Sequence, residues 1–450
     1  MDEMNEIFDE LQALLEKKDF RALREQLSEL NPADAAEYLE TLEEKQRLMV
    51  FRTLSKETAA DAFSYMSPEI QEELITTITD KEASAIIDEL STDDAVDALD
   101  ELPANVVRKL LQHTLPETRK TINEFLNYPE ESAGSIMTSE FVSLKKESTV
   151  EEAFARIRQV GLDSETVYTC YVTDANRRME GVVTVRRLFL ESLDTVIRDI
   201  MDTDIIYAHT TDNQEEVAQL ISRYDFLSLP VVDQEDRLVG IVTVDDVIDV
   251  IQEENTEDFE KMAAMLPSQK AYLKTGTFEM ARNRIAWLLV LMVSAMLTGG
   301  ILGTYEDAFT VMPILVTFIP MLMDTGGNAG SQSATMVIRG MALGEVEDID
   351  ALRILWKETK VSLLVGMGLA VINLVRLLVF NISGITVGIT VSVSLMCTVI
   401  LANTVGGLLP VFAKKLGADP AIMASPLITT IVDACSLIIY FSIAKGLLGI

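Results

Sequence analysis

PAIMASPLITTIVDACSLIIYFSIA, residues 420–444, is apolar almost throughout and carries one charged side chain, Asp433, near its midpoint. About 20 apolar residues cross a bilayer as a helix. A carboxylate at that depth costs at least about 2.5 kcal/mol, so it persists only facing a cavity, a partner or an ion. Two readings fit. Asp433 is paired with a cation on a neighbouring helix or protonated, or it is the acidic ring of a cation path. Ser425, Thr429 and Asp433 are spaced by four and share one stripe of the helix, which reads as a pore lining. One such helix supplies half a ring, so at least a symmetric pair of chains is expected.

Upstream lie four more apolar spans, Ile285–Thr304, Ala308–Ile338, Thr359–Phe380 and Ile385–Ala413, and the last span runs Ala421–Leu448. Basic residues mark the cytoplasmic side of a membrane. Arg282 and Arg284 precede the first span, Arg339, Arg353, Lys357 and Lys360 follow the second, and Lys414 and Lys415 precede the fifth. The connections near Glu306 and near Gly384 carry none. The amino-terminal half is therefore expected in the cytosol and the carboxyl end outside. The second span holds its own acid, Asp324, followed by Thr325, Gly326, Gly327, Asn328, Ala329, Gly330, Ser331, Gln332 and Ser333. Such a run at membrane depth suits buried backbone or a wet cavity, or close helix packing on small residues, as also at Gly299 and Gly303.

The charge is one-sided. Of 71 acidic and 37 basic residues, 11 of each lie from position 271 onward, so the net −34 belongs to the first 270 residues. A phosphate backbone needs a basic face, so nucleic acid is not an expected partner. Clustered carboxylates are either solvated charge or ligands for hard cations. Cys170, Cys397 and Cys435, with His113 and His209, show no zinc spacing and no disulfide framework. Residues 1–10 are acidic and lack an apolar core, so no cleavable signal peptide is expected. No nucleophile–base arrangement or phosphate loop occurs, and an enzyme is not expected.

From Asn31 to Pro103 a period of 12 runs through Asn31, Glu43, Ser55, Ser67, Thr79, Ser91 and Pro103. Most of these can cap a helix start, Pro68 suits a first helical position, and Thr79 with Glu82 and Ser91 with Asp94 resemble capping boxes. The period predicts short helices stacked into a superhelix, with an outward acidic face including Asp61, Asp93, Asp94 and Asp97.

From Met137 strands alternate with helices, twice. Met137-Thr138 matches Met201-Asp202, Tyr171-Val172-Thr173-Asp174 matches Pro230-Val231-Val232-Asp233, and Gly181-Val182-Val183-Thr184 matches Gly240-Ile241-Val242-Thr243. These copies resemble a tandem pair of CBS domains, a module that often senses adenine nucleotides. By that resemblance Thr243 and the acid Asp246 would hold ATP, whereas the first copy has Arg187 in the acid's place. Asp246, Asp249 and Glu253 then share one helix face within an acidic run that ends near Glu260. Like charges so stacked call for a neutralising divalent cation. Phe259 to Arg284 reads as a linker interrupted by Pro267 and Gly276, in which an amphipathic helix at the membrane face would suit Met262, Met265 and Leu266, or as a plain spacer.

The order of parts, with Met323-Asp324-Thr325-Gly326-Gly327-Asn328 and the Pro426–Asp433 stretch, closely resembles the MgtE family of magnesium channels over essentially the full chain. The resemblance implies a multi-domain integral membrane protein: an all-α cytosolic superhelix (1–130), an α/β tandem CBS pair (131–258, as 137–200 and 201–258), a connecting amphipathic helix (259–284) and a five-helix transmembrane pore domain (285–450). It implies a homodimer in the cell membrane that takes up Mg2+, with Asp433, Thr429, Ser425, Asn328 and Asp324 at the pore. It further implies that cytosolic Mg2+ holds the pore shut through Asp61, Asp93, Asp97, Glu215, Asp225, Asp246, Asp249, Glu254, Glu257, Asp258 and Asp419, with ATP as a second regulator. Two rivals stand beside it: an ion-coupled secondary transporter using Asp324 and Asp433, and a non-transporting membrane sensor.

Overall fold

The computed structural model describes residues 2–100, 102–268, 272–273, 275–346, 348–380, 382, 384–423 and 425–449. Contacts divide the chain into two compact units, residues 1–251 and 252–450.

The first unit opens with ten helices among the described residues: α1 (Asp2–Glu16), α2 (Phe20–Glu29), α3 (Pro32–Thr41), α4 (Glu44–Phe51), α5 (Lys56–Ser64), α6 (Pro68–Thr77), α7 (Asp80–Ile87), α8 (Thr92–Asp100), α9 (Ala104–Leu111) and α10 (Pro116–Phe125). The period of 12 sets their starts. Asn31, Ser55 and Thr79 accept hydrogen bonds from first-turn amides, and Thr79 with Glu82 forms a complete capping box. The period runs one step further than expected, because Leu115 stands before the helical Pro116. Helices of this length are marginal alone in water, so packing must hold them. The residue eight places after each of the seven starts from Asn31 to Pro103 is buried: Leu39, Phe51, Phe63, Ile75, Ile87, Leu99 and Leu111. Arg47 is buried too, donating to the Leu39 and Leu42 carbonyls and to Glu73, which clamps α4 to α6.

The strand-rich part holds two three-stranded sheets of one topology. β1 (Phe141–Leu144) lies parallel to β2 (Thr166–Thr173), which pairs antiparallel with β3 (Met179–Thr184). β4 (Ala208–His209), β5 (Ser228–Val232) and β6 (Leu238–Thr243) repeat that order. The flanking helices are α11 (Val150–Val160), α12 (Val185–Leu190), α13 (Gln214–Tyr224) and α14 (Val244–Met262). Each copy lends its leading segment to the other: Thr138 bridges Ile241, and Asp202 bridges Val182. The superhelix core continues into the second copy through Met137, Val217, Leu229 and Val242.

The second unit comprises α15 (Thr277–Gly303), α16 (Glu306–Val311), α17 (Ile319–Ala342), α18 (Ala351–Val379), α19 (Ile385–Lys415) and α20 (Ser425–Leu448), together with the end of α14. Among the described residues four stretches are long and apolar enough to cross a membrane: Thr277–Gly303, Ala351–Val379, Ile385–Lys415 and Pro420–Leu448.

Three expectations change here. The second span does not run unbroken over Ala308–Ile338: α16 ends at Val311, Pro313 opens a 3-10 turn, and α17 starts at Ile319. With 24 residues α17 is about 36 Å long at 1.5 Å per residue, long enough to span, but its polar run keeps it out of the apolar group. No single helix covers 259–284. α14 ends at Met262, Ala264 takes a left-handed φ of 52° before Pro267, and Gly276 caps α15. Proline cannot continue a helix, so Met265 and Leu266 lie in the loop, where the Leu266 amide donates to the Asn283 carbonyl. Finally, Asp93 does not face outward. It is 8 % exposed, while Asp61 and Asp97 are exposed as expected.

Candidate functional site

The helices α17 and α20 meet because glycine lets them. A Cβ on Gly327 would stand 2.9 Å from Thr429 Cγ2, and one on Gly326 would stand 2.6 Å from Thr398 Cγ2 and 2.9 Å from Val432 Cγ1. At the α17–α19 contact a Cβ on Gly406 would fall 2.1 Å from the Gly330 carbonyl oxygen. The glycine run is thus regular helix that permits close approach. Gly299 and Gly303 meet nothing in this chain among the described residues.

That approach sets two polar pairs side by side. Asp324 and Asn328, four apart on α17, are exposed on this single chain, while Thr429 and Asp433, four apart on α20, are half-buried. The Asp433 Oδ1 atom is buried with no hydrogen-bond partner, and the Asp324 carboxylate is near enough to act on it electrostatically. No cation among the described residues pairs with Asp433. The Ser425 side chain lies outside the described residues. Arg376, inside α18, was not singled out by sequence reasoning. It donates to Asn373 at 2.9 Å on its own helix.

In the first unit the start of α8 meets the CBS pair in a cluster of acids. Ser91 Oγ donates to Asp94 at 2.9 Å, and Thr92 Oγ1 donates to Glu140 at 2.7 Å. Thr243 Oγ1 donates to Asp246 at 2.6 Å. Burial disfavours a charged carboxylate, and so does a like charge nearby. Both act here. Burial and then Asp93 push Asp246 up to about 8, burial and then Asp93 push Asp94 up to about 6, and burial followed by Asp93, Asp245 and Asp94 pushes Glu165 up to about 7. Asp93 is raised by its own burial, and its Oδ1 is buried without a partner. Among the described residues no three Asp, Glu, His or Cys side chains close into a metal cage. Mg2+ keeps most of its water and takes one or two carboxylates, so a pair such as Asp93 and Asp246, with an orphaned oxygen, fits a hydrated Mg2+ without a cage.

The expected regulatory residues therefore divide. Asp93 and Asp246 come together, joined by Asp94, Asp245, Glu140 and Glu165. Asp97 is exposed on α8 and Asp249 on α14, where burial followed by Asp245 raises it. Asp61 is raised by burial and then by Glu57 and Glu89. Glu215 is exposed at the start of α13, and Asp225 is the left-handed cap at its end, φ 53°. Glu254, Glu257 and Asp258 are half-buried in α14. Glu257 and Asp419 both bind the Lys261 ammonium, each at 2.6 Å. Lys261 stands four residues after Glu257, a spacing visible in the sequence. The roles of Glu140 and Glu165 left no local signal, since their partners are distant in the chain. Arg187 pairs with Glu191 at 2.8 Å, and Thr243 is buried against Asp246.

Long apolar helices, one of them carrying a carboxylate that no described cation pairs with, preceded by an acid-rich helical stack and two copies of one three-stranded unit, point to a membrane transport protein with a large portion outside the membrane. The comparisons with known proteins narrow the class. Residues 319–443 match the family described as a divalent cation transporter, residues 30–131 the MgtE intracellular N domain, and residues 133–194 and 197–253 the CBS domain. The magnesium transporter MgtE of Thermus thermophilus is 40% identical over 97% of this chain and 98% of its own length. That of Bacillus subtilis is 32% identical over 95% and 94%. The chain belongs to the MgtE family of magnesium transporters. Among solved structures, the soluble part of a magnesium transporter is 36% identical with a TM-score of 0.54, covering 56% of this chain and 99% of its own. The cytosolic domain of the Mg2+ channel MgtE in complex with ATP is 41% identical with a TM-score of 0.51, covering 53% and 98%.

Proposed function

We propose that this chain is one protomer of a homodimeric Mg2+ channel of the cell membrane, shut from the cytosol by Mg2+ itself. Mg2+ transport follows from the family. The observation that carries the assignment of the path is Asp433: a carboxylate with a buried, unpartnered oxygen, beside Asp324, inside an apolar helix. Mg2+ sheds water reluctantly, so Asp433 from two chains holds a largely hydrated ion through its waters. Asn328, Thr429, Ser425 and Asp324 supply the remaining polar surface. A ring of acids selects cations by charge, and the fit of the hydrated ion selects by size. The chain acts as a transporter, not an enzyme. α17 makes the fifth crossing, which leaves the carboxyl end outside.

Gating uses the same chemistry. Without Mg2+ the acids between superhelix and CBS pair repel. As cytosolic Mg2+ rises, ions bridge Asp93 and Asp246 and bind the further acids Asp61, Asp97, Glu215, Asp225, Asp249, Glu254 and Asp258, favouring the compact, shut state. An ion shifts that equilibrium only by its differential affinity for the two states, so several weak sites acting together give a steep response. ATP is the proposed second regulator, held at Thr243 and Asp246, in keeping with the ATP-bound domain of the relative.

The test is Mg2+ flux into liposomes containing only this protein. Asp433→Ala and Asp433→Asn are expected to abolish it, and full flux in either variant would refute the path. Dependence of wild-type flux on a sodium or proton gradient would replace the channel with a coupled transporter.

A further inference from the structure

The end of α14 is fixed to the segment that leads into α20 by two adjacent residues. Lys261 Nζ lies 2.6 Å from Glu257 Oε1 and 2.6 Å from Asp419 Oδ2, with its side chain 21 % exposed. The other Asp419 oxygen accepts the Ala421 amide at 2.8 Å, which caps the 3-10 turn Pro420–Met423 just before α20. Next to Lys261, Met262 packs on the apolar cluster of Ala334, Ile338, Ala402, Ile428 and Val432. Ile428 and Val432 are the chain neighbours of Thr429 and Asp433. Burial alone would lower the Lys261 ammonium, but its hydrogen bonds to Asp419 and Glu257 outweigh burial and hold it above the ordinary lysine value.

We propose that Lys261 is a tethered cation standing where Glu257 and Asp419 would otherwise share a Mg2+, so that this junction with the pore helix is held without metal. Two carboxylates this close, with amphipathic α14 on one side and the start of α20 on the other, repel unless a cation sits between them. A covalently attached ammonium supplies that cation at an effective concentration no free ion matches. Lys261 is thus a positioning residue. It keeps the end of α14 seated beside the helix that carries the selectivity acid whether or not Mg2+ is bound, so Mg2+ sensing is left to the acids upstream. The proposal rests on Mg2+ gating and deepens it by removing Glu257 and Asp419 from the set of ion-binding sensors.

Amide hydrogen exchange of the full-length protein in nanodiscs, in EDTA and in Mg2+, tests it. In the wild type, protection of the Ala421 amide and of the last turn of α14 is expected to be the same within twofold in both conditions, while amides around Asp93 and Asp246 gain protection with Mg2+. Lys261→Gln is expected to lose at least tenfold protection at Ala421 in EDTA and to regain it in Mg2+, which now enters between the carboxylates. Lys261→Arg should behave as wild type. Mg2+-dependent protection at Ala421 in the wild type overturns the proposal even if Lys261→Gln does not fold, as does a Lys261→Gln protein unchanged in EDTA. Absence of any Mg2+ response at Asp93 and Asp246 would instead sink the gating reading, leaving the strut judged by the EDTA arm alone.

Discussion

Replacing Asp246 with Asn tests the idea that the acids joining superhelix and CBS pair are a sprung element loaded for Mg2+. Asp246 is pushed from 3.8 to about 8, by burial and then by Asp93. Each tenfold change in proton affinity is worth about 1.4 kcal/mol, so keeping this carboxyl in place at pH 7 forfeits roughly 4 kcal/mol relative to the unfolded chain. Asn removes that penalty while keeping an acceptor for the 2.6 Å bond from Thr243 Oγ1. In EDTA, Asp246→Asn is therefore expected to be more stable than wild type, with cleavage of the cytosolic half by a protease slower by roughly one to three powers of ten if opening is fast relative to cleavage. Adding Mg2+ should slow wild-type cleavage strongly and the variant's little further. A variant cleaved faster than wild type in EDTA, or protected by Mg2+ to the same extent as wild type, would refute the reasoning.

The same cluster fixes the sign of a pH effect. Asp246, Asp94 and Glu165 are raised to about 8, 6 and 7, so the folded chain binds protons that the unfolded chain has released. Stability in EDTA is then fullest below about pH 4 from these groups and is lost as pH rises through 6 to 8. Thermal unfolding at pH 5.5 and 8 in EDTA should show the lower midpoint at pH 8, and saturating Mg2+ should flatten or reverse that order. Gly406→Ala places a methyl where the Gly330 carbonyl oxygen sits at 2.1 Å. It should destabilise by roughly 1–3 kcal/mol or more, read as a lowered melting midpoint and loss of flux, and Gly299→Ala, which meets nothing in this chain, should do neither.

Much of this was legible beforehand because local chemistry sets it. A 12-residue period of capping residues fixes where each superhelix turn begins, since an N-cap acts within three residues of itself. The two Gly-apolar-apolar-Thr strands and their turns are equally local. The stripe Thr429–Asp433 needed only helical spacing. What stayed hidden depends on pairings across long chain separations. Nothing near Asp93 in the sequence tells that Asp246 and Glu165 will be folded against it, so an acid read as solvated is buried. The break at Pro313 is marked in the sequence by the proline itself, inside an apolar run long enough to read as one span. The Lys261–Asp419 contact joins residues 158 apart, and the family resemblance marked Asp419 and Glu257 but not the lysine between them.

The exchange of leading segments between the CBS copies means that the seam visible in the sequence near residue 200 is not a seam in space. Cutting there would strand Thr138 away from Ile241 and Asp202 away from Val182, leaving each fragment with a raw edge and a borrowed piece it can no longer return. Because the superhelix core also continues into the second copy through Met137 and Val242, residues 1–251 are expected to unfold as one body.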